Sequence, residues 1–484
     1  MQQTRETYEK NAPGTDRADP RRWWVLALLS LALFVIILNN GLLNVALPSL
    51  MRDLDAGIGT TQWIVDGYAL VFAACLLTAG TLSDRYGRKR ATLLGMALFG
   101  AGSLVALTAQ GAGQLVAARA LMGVAAALVM PGTLSILVDV FPAHERPRAI
   151  AVWGSTSALG VAAGPVLGGA LVAHFWWGSV FLVNLLPVTV VLLAGARLLP
   201  ESAAPVPRPA DPVGALLGAA AMVGLVYGAI HASGEGWTSA PVLGAFGAAL
   251  VAGAAFAAWE RRHATPMVDF ALLRRPVFLG ASAGNMLLFS GLAGTLFVLT
   301  QYLQYGLGYG PLRAGCAVAP VAVAVGLGSA VSPALARRTG PRGGVTAGLA
   351  LGAAGILVLA LTPAYPGILA GLSLMGVGVG LALAPATDTV VSLVPPERSG
   401  NAAALNDTMQ ELGNAVGVAV VGTVLARGSG GPTGIEDAAP NGFVAAAVIV
   451  TVGAMLSGLL LPGPTRPDHG TTPVADGSPL GGGA

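Results

Sequence analysis

Four ionisable residues sit inside apolar runs, where a charge is costly: Asp66, Arg119, Asp407 and Glu411. A cation in such a run normally faces a cavity or a counter-ion. Arg119 enters about five residues from one end of its run, and Asp66 about five from the matching end of another, so at 1.5 Å per residue their depths agree. This predicts an Asp66–Arg119 pair or a shared water network, serving either proton-coupled switching or structure alone. Asp407 and Glu411 are four residues apart, hence on one helix face. Two carboxylates that close in a low dielectric resist being ionised together, which suits them to taking up and releasing a proton or attracting a cation. The competing reading is a wet cytoplasmic vestibule with no specific task. No His-Glu-x-x-His, P-loop or Gly-x-Ser-x-Gly occurs, so a membrane enzyme or an ATP-driven pump finds no support.

The elements that hold these residues follow from composition. Of 484 residues, 54% are hydrophobic and 10% charged, and runs long enough to cross a bilayer recur along the chain. The pattern predicts an all-α polytopic membrane protein with fourteen spans, the tenth and eleventh over 312–335 and 343–362. Loops are short; the longest polar connections lie near 200–211, 260–276 and 426–441. Of 26 cations, only Arg52, Arg313 and Arg427 fall outside if the N-terminus is cytoplasmic, and Arg119 lies within a span. The positive-inside rule therefore puts both termini in the cytoplasm. The basic residues sit in short loops, which argues against nucleic acid as a partner. The scarcity of lysine beside arginine points to a GC-rich bacterial genome. Cys75 and Cys316 both fall in spans, so no structural disulfide is expected.

Between the second and third spans the chain reads Gly80-Thr-Leu-Ser-Asp84-Arg85-Tyr-Gly87-Arg88-Lys89. An echo follows at an offset of 253: Leu82, Arg85, Gly87 and Lys89 map onto Leu335, Arg338, Gly340 and Arg342, and Met122-Gly123 onto Met375-Gly376. Leu159-Gly160 and Gly164 map likewise onto Leu412-Gly413 and Gly417. The shift spans eight helices, which predicts two six-helix bundles (23–200 and 266–462) with an inserted pair between them (201–265). Residues 1–22 and 463–484 read as disordered cytoplasmic tails. The second copy carries Arg337 where the first has Asp84.

The loop, together with three further segments, resembles the fourteen-span drug:proton antiporter family of the major facilitator superfamily over essentially the whole chain. The others are Arg119 with Gly123; Gly160-x-x-x-Gly164-Pro165-x-x-Gly168-Gly169; and Asn44-Val45-Ala46-Leu47-Pro48 closing the first helix. The resemblance implies a major facilitator fold and secondary export of lipophilic, including cationic, antibiotics from the bacterial cell by proton antiport with alternating access. It implies a monomer in the cell membrane, with a proton gradient in place of any cofactor or metal. It further implies that Asp84, followed by Arg85, Gly87 and Arg88, locks helix 2 to helix 11 in the outward-facing state, and that the glycine helix seals the antiporter against leak. Glycines at intervals of four also favour close packing on their own, and Pro165 weakens the helix locally.

One departure stands out. Where the family commonly has Leu-Asp-x-Thr, this chain has Leu38-Asn39-Asn40-Gly41, so the usual membrane Asp is Asn39 and cannot titrate. Proton transfer would then fall to Asp66, Asp407 or Glu411. Asn39, Asn40, Asn44, Trp63, Tyr68, Trp153, Phe289, Gln301 and Tyr302 are candidates to line a substrate cavity, although aromatic residues near span ends also serve as interfacial anchors. Asp139 and Asp388, near cytoplasmic span ends, are expected to pair with loop arginines. Two rival functions are a facilitator or importer of a defined metabolite, which the loss of the helix-1 Asp favours, and a membrane sensor without transport, which the intact loop disfavours.

Overall fold

A computed structural model describes residues 20–55, 58–202, 211–263, 266–268, 272–362, 364–395, 399–429 and 434–463. The expected tails lie almost wholly outside the described residues, as do the side chains of Asn44 and Pro165. Every long element is a helix, as a backbone in hydrocarbon must satisfy its own hydrogen bonds. The first six are α1 (Arg22–Asp53), α2 (Ile58–Tyr86), α3 (Arg88–Leu107), α4 (Ala112–Val140), α5 (Arg146–His174) and α6 (Ser179–Leu198). The inserted pair is α7 (Pro212–Glu235) and α8 (Ala240–Glu260). Then come α9 (Pro276–Gln301), α12 (Tyr365–Ser392), α13 (Ser399–Ser429) and α14 (Ile435–Leu460).

The tenth and eleventh spans run together, because no loop separates them. The helix Pro320–Leu361, preceded by Pro311–Val318, is broken only at Gly340, whose φ is 68°. We call the part up to 339 α10 and the part from 341 α11. The apolar stretch Leu312–Leu361 is 50 residues, about 75 Å as helix, which is two crossings and not one. With twelve other membrane-length helices the described chain therefore makes fourteen crossings. Gly87, the repeat partner of Gly340, also has positive φ, at 107°. Both turns need positive φ, which explains why the echo keeps its glycine.

The repeat is visible in the packing. α1 packs on α5, as α9 does on α13; α2 and α3 pack on α4, as α10 and α11 do on α12; α6 covers α1 and α3, as α14 covers α9 and α11. The glycine helix is one instance. A methyl on Gly164 would sit 2.7 Å from Gly41 Cα, and one on Gly168 would sit 3.1 Å from the Leu42 carbonyl oxygen. In the second copy Gly413 and Gly417 press on the backbone of Met286 and Ser290, and the Ser290 hydroxyl donates to the Gly413 carbonyl at 2.9 Å. Each half has its own buried apolar core. Helices α7 and α8 pack on each other, and Met222 and Val226 of α7 join Leu70 and Ala73 of α2 in a small buried cluster flanked by Leu412 and Ala415 of α13. The inserted pair thus leans on the seam between the halves.

Gly164→Ala is expected to cost about 1–3 kcal/mol by overpacking against backbone, read as a lower melting temperature in detergent. Gly244→Ala on α8, where an added methyl meets nothing within 4 Å, should leave it unchanged.

Candidate functional site

Two adjoining cavities lie between the halves. The polar one, about 170 Å³, is walled by α1, α2 and α4 and includes Asn40, Tyr68, Phe72 and Arg119. The apolar one, about 190 Å³, includes Trp153 and Ser157 of α5, Phe289 of α9, Leu383 of α12, and Gln410 and Asn414 of α13. Ile37, Met130 and Glu411 line both, so Glu411 is the acidic side chain common to the two.

Arg119 is 1% exposed. It donates to the Ile64 carbonyl at 3.2 Å and to Asn40 Oδ1 at 3.3 Å, and its guanidinium lies 4.2 Å over the Tyr68 ring. Its Nη1 has no protein partner. The expected pair with Asp66 does not form. The depths match, but Asp66 is two residues from both Ile64 and Tyr68, about 200° round the helix from the face that meets Arg119. Asp66 is buried on another face of α2. The planar fork finds a carbonyl, an amide and an aromatic face instead, a set that a flat guanidinium meets at once with its separate N–H groups and its face.

The α13 acids occupy different surroundings. Glu411 accepts a bond from Asn414 at 3.4 Å and reaches the cavities. Asp407 is 0% exposed; Asn406 donates to its Oδ1 at 3.4 Å, and its Oδ2 has no protein partner. Asn406 is in turn fixed by Asn285 of α9 at 2.7 Å. The two acids share a face of α13, as their spacing predicted, but Glu411 lines the cavities and Asp407 is packed inside.

At the N-terminal end of the same face of α13, Asp84 accepts the backbone N–H groups of Gly400 at 3.1 Å and Asn401 at 3.0 Å. These are first-turn donors of α13 with no intrahelical acceptor, at the positive end of its dipole. Arg88 bonds Asp84 at 3.0 Å and also pairs with Asp139 of α4. Asp84 and Arg88 are buried. Two details correct the expectation: the helix joined to α2 is α13 and not helix 11 as counted here, since the inserted pair shifts the count by two. The cation on Asp84 is Arg88, whereas Arg85 stacks 5.1 Å over Tyr86. Asp139 takes an arginine of the loop, as expected, and Asp388 lies within electrostatic reach of Arg146. Outside the spans, Glu145 is bonded by Arg22 at 2.7 Å, which holds its carboxyl below the usual range.

Other candidates are elsewhere. Asn39 accepts from Asn184 of α6 at 3.0 Å within the N-terminal half, not in either cavity. Trp63 is half exposed, its ring 6.5 Å from that of Tyr227 on α7. Tyr302 packs in the C-terminal core just past the end of α9, and neither it nor Gln301 lines the two cavities. Gly169 faces Leu312 at the start of α10. Asn40, Tyr68, Trp153 and Phe289 do line the cavities. Sequence reasoning missed Met130, Gln410 and Asn414; the last two flank Glu411 at helical spacing, which was a usable signal.

Two repeated bundles around a central polar cluster define a recognisable architecture, and comparison with known proteins agrees with it. The family model described as Major Facilitator Superfamily matches residues 29–418. The chain belongs to this superfamily. It is a multi-pass membrane transporter and not an enzyme. It is 39% identical over 419 residues to the multidrug efflux pump LfrA of Mycolicibacterium smegmatis, covering 86% of this chain and 83% of that one. It is 36% identical to the multidrug resistance protein Stp of Mycobacterium tuberculosis, covering 83% and 75%. It is 33% identical to the probable actinorhodin transporter of Streptomyces coelicolor, covering 89% and 78%. The crystal structure of the human organic anion transporter MFSD10 shares the fold, with a TM-score of 0.65 at 20% identity over 91% of this chain and 100% of that one.

The Arg119 contacts predict that Arg119→Lys lowers the transport rate at least tenfold, because a lysine cannot bond Asn40 and Ile64 while stacking on Tyr68. Tyr68→Phe, which keeps the ring, should cost less than threefold, and Tyr68→Ala should approach the Lys variant. Substrate flux in membrane vesicles checks all three.

Proposed function

We propose that the protein exports lipophilic compounds, cationic ones among them, across the bacterial cell membrane in exchange for protons. The observation that carries this reading is the position of Glu411 on the wall shared by a polar cavity with Arg119 and an apolar cavity with Trp153 and Phe289. A carboxyl in that place answers to both ligands of an antiporter. Unprotonated, it attracts a cation that the aromatic walls of the apolar cavity can accommodate. Protonated, it releases that cation and leaves a neutral site. Asp407, one turn nearer the cytoplasm and without a cation beside it, is suited to holding the proton in transit.

The halves meet on the cytoplasmic side at the Asp84 cluster and on the other side where Gly169 faces Leu312. Access to the cavities then alternates as one contact opens while the other holds. Asp84 with Arg88 is the cytoplasmic latch, and the packing of Gly160, Gly164 and Gly168 on α1 keeps α5 tight against leak. One chain supplies both halves, so a monomer suffices, with both termini cytoplasmic and the proton gradient as the energy source. Efflux and resistance proteins among the relatives support export over import of a metabolite.

In inverted vesicles, an acid interior should drive uptake of a fluorescent lipophilic cation, and a protonophore should abolish it. Glu411→Gln should reduce gradient-driven uptake at least tenfold. Uptake indifferent to the pH gradient in the wild type would end the antiport reading.

A further inference from the structure

The inserted hairpin α7–α8 has no counterpart in the repeat, yet its cytoplasmic end is tied to the latch by a continuous line of polar contacts. Glu260, the last residue of α8, is 1% exposed and accepts the backbone N–H of Val268 at 3.2 Å. The carbonyl of the preceding residue, Met267, accepts a hydrogen bond from the Asn401 side-chain amide. The backbone N–H of Asn401 is one of the two that Asp84 accepts. The hairpin end is itself closed. Asp211 caps α7 by accepting from Gly214 at 2.8 Å and takes the Trp259 indole N–H at 2.9 Å, and His263 lies 3.8 Å from it. A methyl on Gly214 would lie 2.7 Å from Glu260 Oε1, so Glu260 is wedged against the start of α7. A buried carboxyl directed at a backbone N–H of the 266–268 segment, beside the amide that holds α13, is a costly arrangement for a mere spacer.

We propose that Glu260 and Asn401 are positioning residues of the latch, through which the α7–α8 hairpin holds the N-terminus of α13 in register with Asp84. This rests on the alternating-access reading above. Glu260 fixes the 266–268 segment, the Met267 carbonyl orients Asn401, and Asn401 presents its N–H to the Asp84 carboxylate. Loss of Glu260 should loosen the cytoplasmic contact while leaving the cavity walls as they are.

The test is the alkylation rate of a reporter Ser157→Cys in the apolar cavity, measured in inverted vesicles with Cys75 and Cys316 replaced by alanine. Glu260→Leu should raise the rate about fivefold, the shift expected from the net worth of one hydrogen bond. Glu260→Gln, which retains an acceptor, should stay within twofold of the parent, and Asn401→Ala should match the Leu variant. In an Asp84→Asn background neither Glu260→Leu nor Asn401→Ala should add anything. Equal increments on both backgrounds, or no increment with Glu260→Leu and Asn401→Ala, would overturn the proposal. If Glu260→Leu does not fold, as judged by its melting temperature, Asn401→Ala carries the same cycle. If Asp84→Asn itself leaves the rate unchanged, the latch reading fails and takes this inference with it; if Asp84→Asn raises the rate and the two positioning variants do not, only the inference fails.

Discussion

The Asp84 carboxylate meeting the first turn of α13 is the interaction on which this end of the molecule depends. Its two oxygens take two backbone donors from the opposite half, and its charge is matched by Arg88, which is itself held by Asp139. The approach is possible only because residue 400 is glycine; a methyl there would lie 2.6 Å from the Asp84 carboxyl carbon. Gly80, one helical turn from Asp84, makes the same allowance: a methyl there would lie 2.7 Å from the Gly400 carbonyl oxygen and against Ala404. Charge, dipole and small residues therefore act at one seam. A buried acid that lost its partners on opening would need water or Arg88 to replace them, so the contact suits two discrete states better than a graded motion.

The same face of α13 continues from Gly400 through Asp407 to Glu411, about 11 and 16 Å along the axis from the latch. One helix thus carries the backbone donors of the latch, the packed acid and the cavity acid. In the proposed cycle, a change of charge at Glu411 would alter what α13 faces at the cavities, on the same helix whose N-terminus meets Asp84. Arg119 sits across the polar cavity on α4, fixed by Asn40, Ile64 and Tyr68, and supplies positive potential opposite that face.

Much of this was legible in the residues. The membrane-length helices and the paired glycine turns could be read, because hydrophobic length and backbone φ leave direct marks on sequence. The glycine spacing gave a packing face but not that α1 fills it. Depth along a helix was readable for Asp66 and Arg119, whereas the angle round the axis was not, and that angle decided against their pairing. Tertiary partners of backbone groups were invisible: nothing in the types of Gly400 and Asn401 announces that their N–H groups belong to Asp84. The role of Asn39 shows the same limit, since its tie to Asn184 removes it from the cavities whatever its resemblance to a proton site suggested. The polar line through Glu260 and Met267 rests on contacts far apart in sequence and had no local signature.

The most direct measurement is the distance between spin labels at Tyr86→Cys and Arg338→Cys, at the turns after α2 and α10 in the two halves, in a cysteine-free background. If Asp84 holds those ends together, lowering the pH or adding substrate should populate a second, longer distance, and Asp84→Asn should populate it under all conditions. A single distance, unchanged by pH, by substrate and by Asp84→Asn, would contradict a latch at this seam.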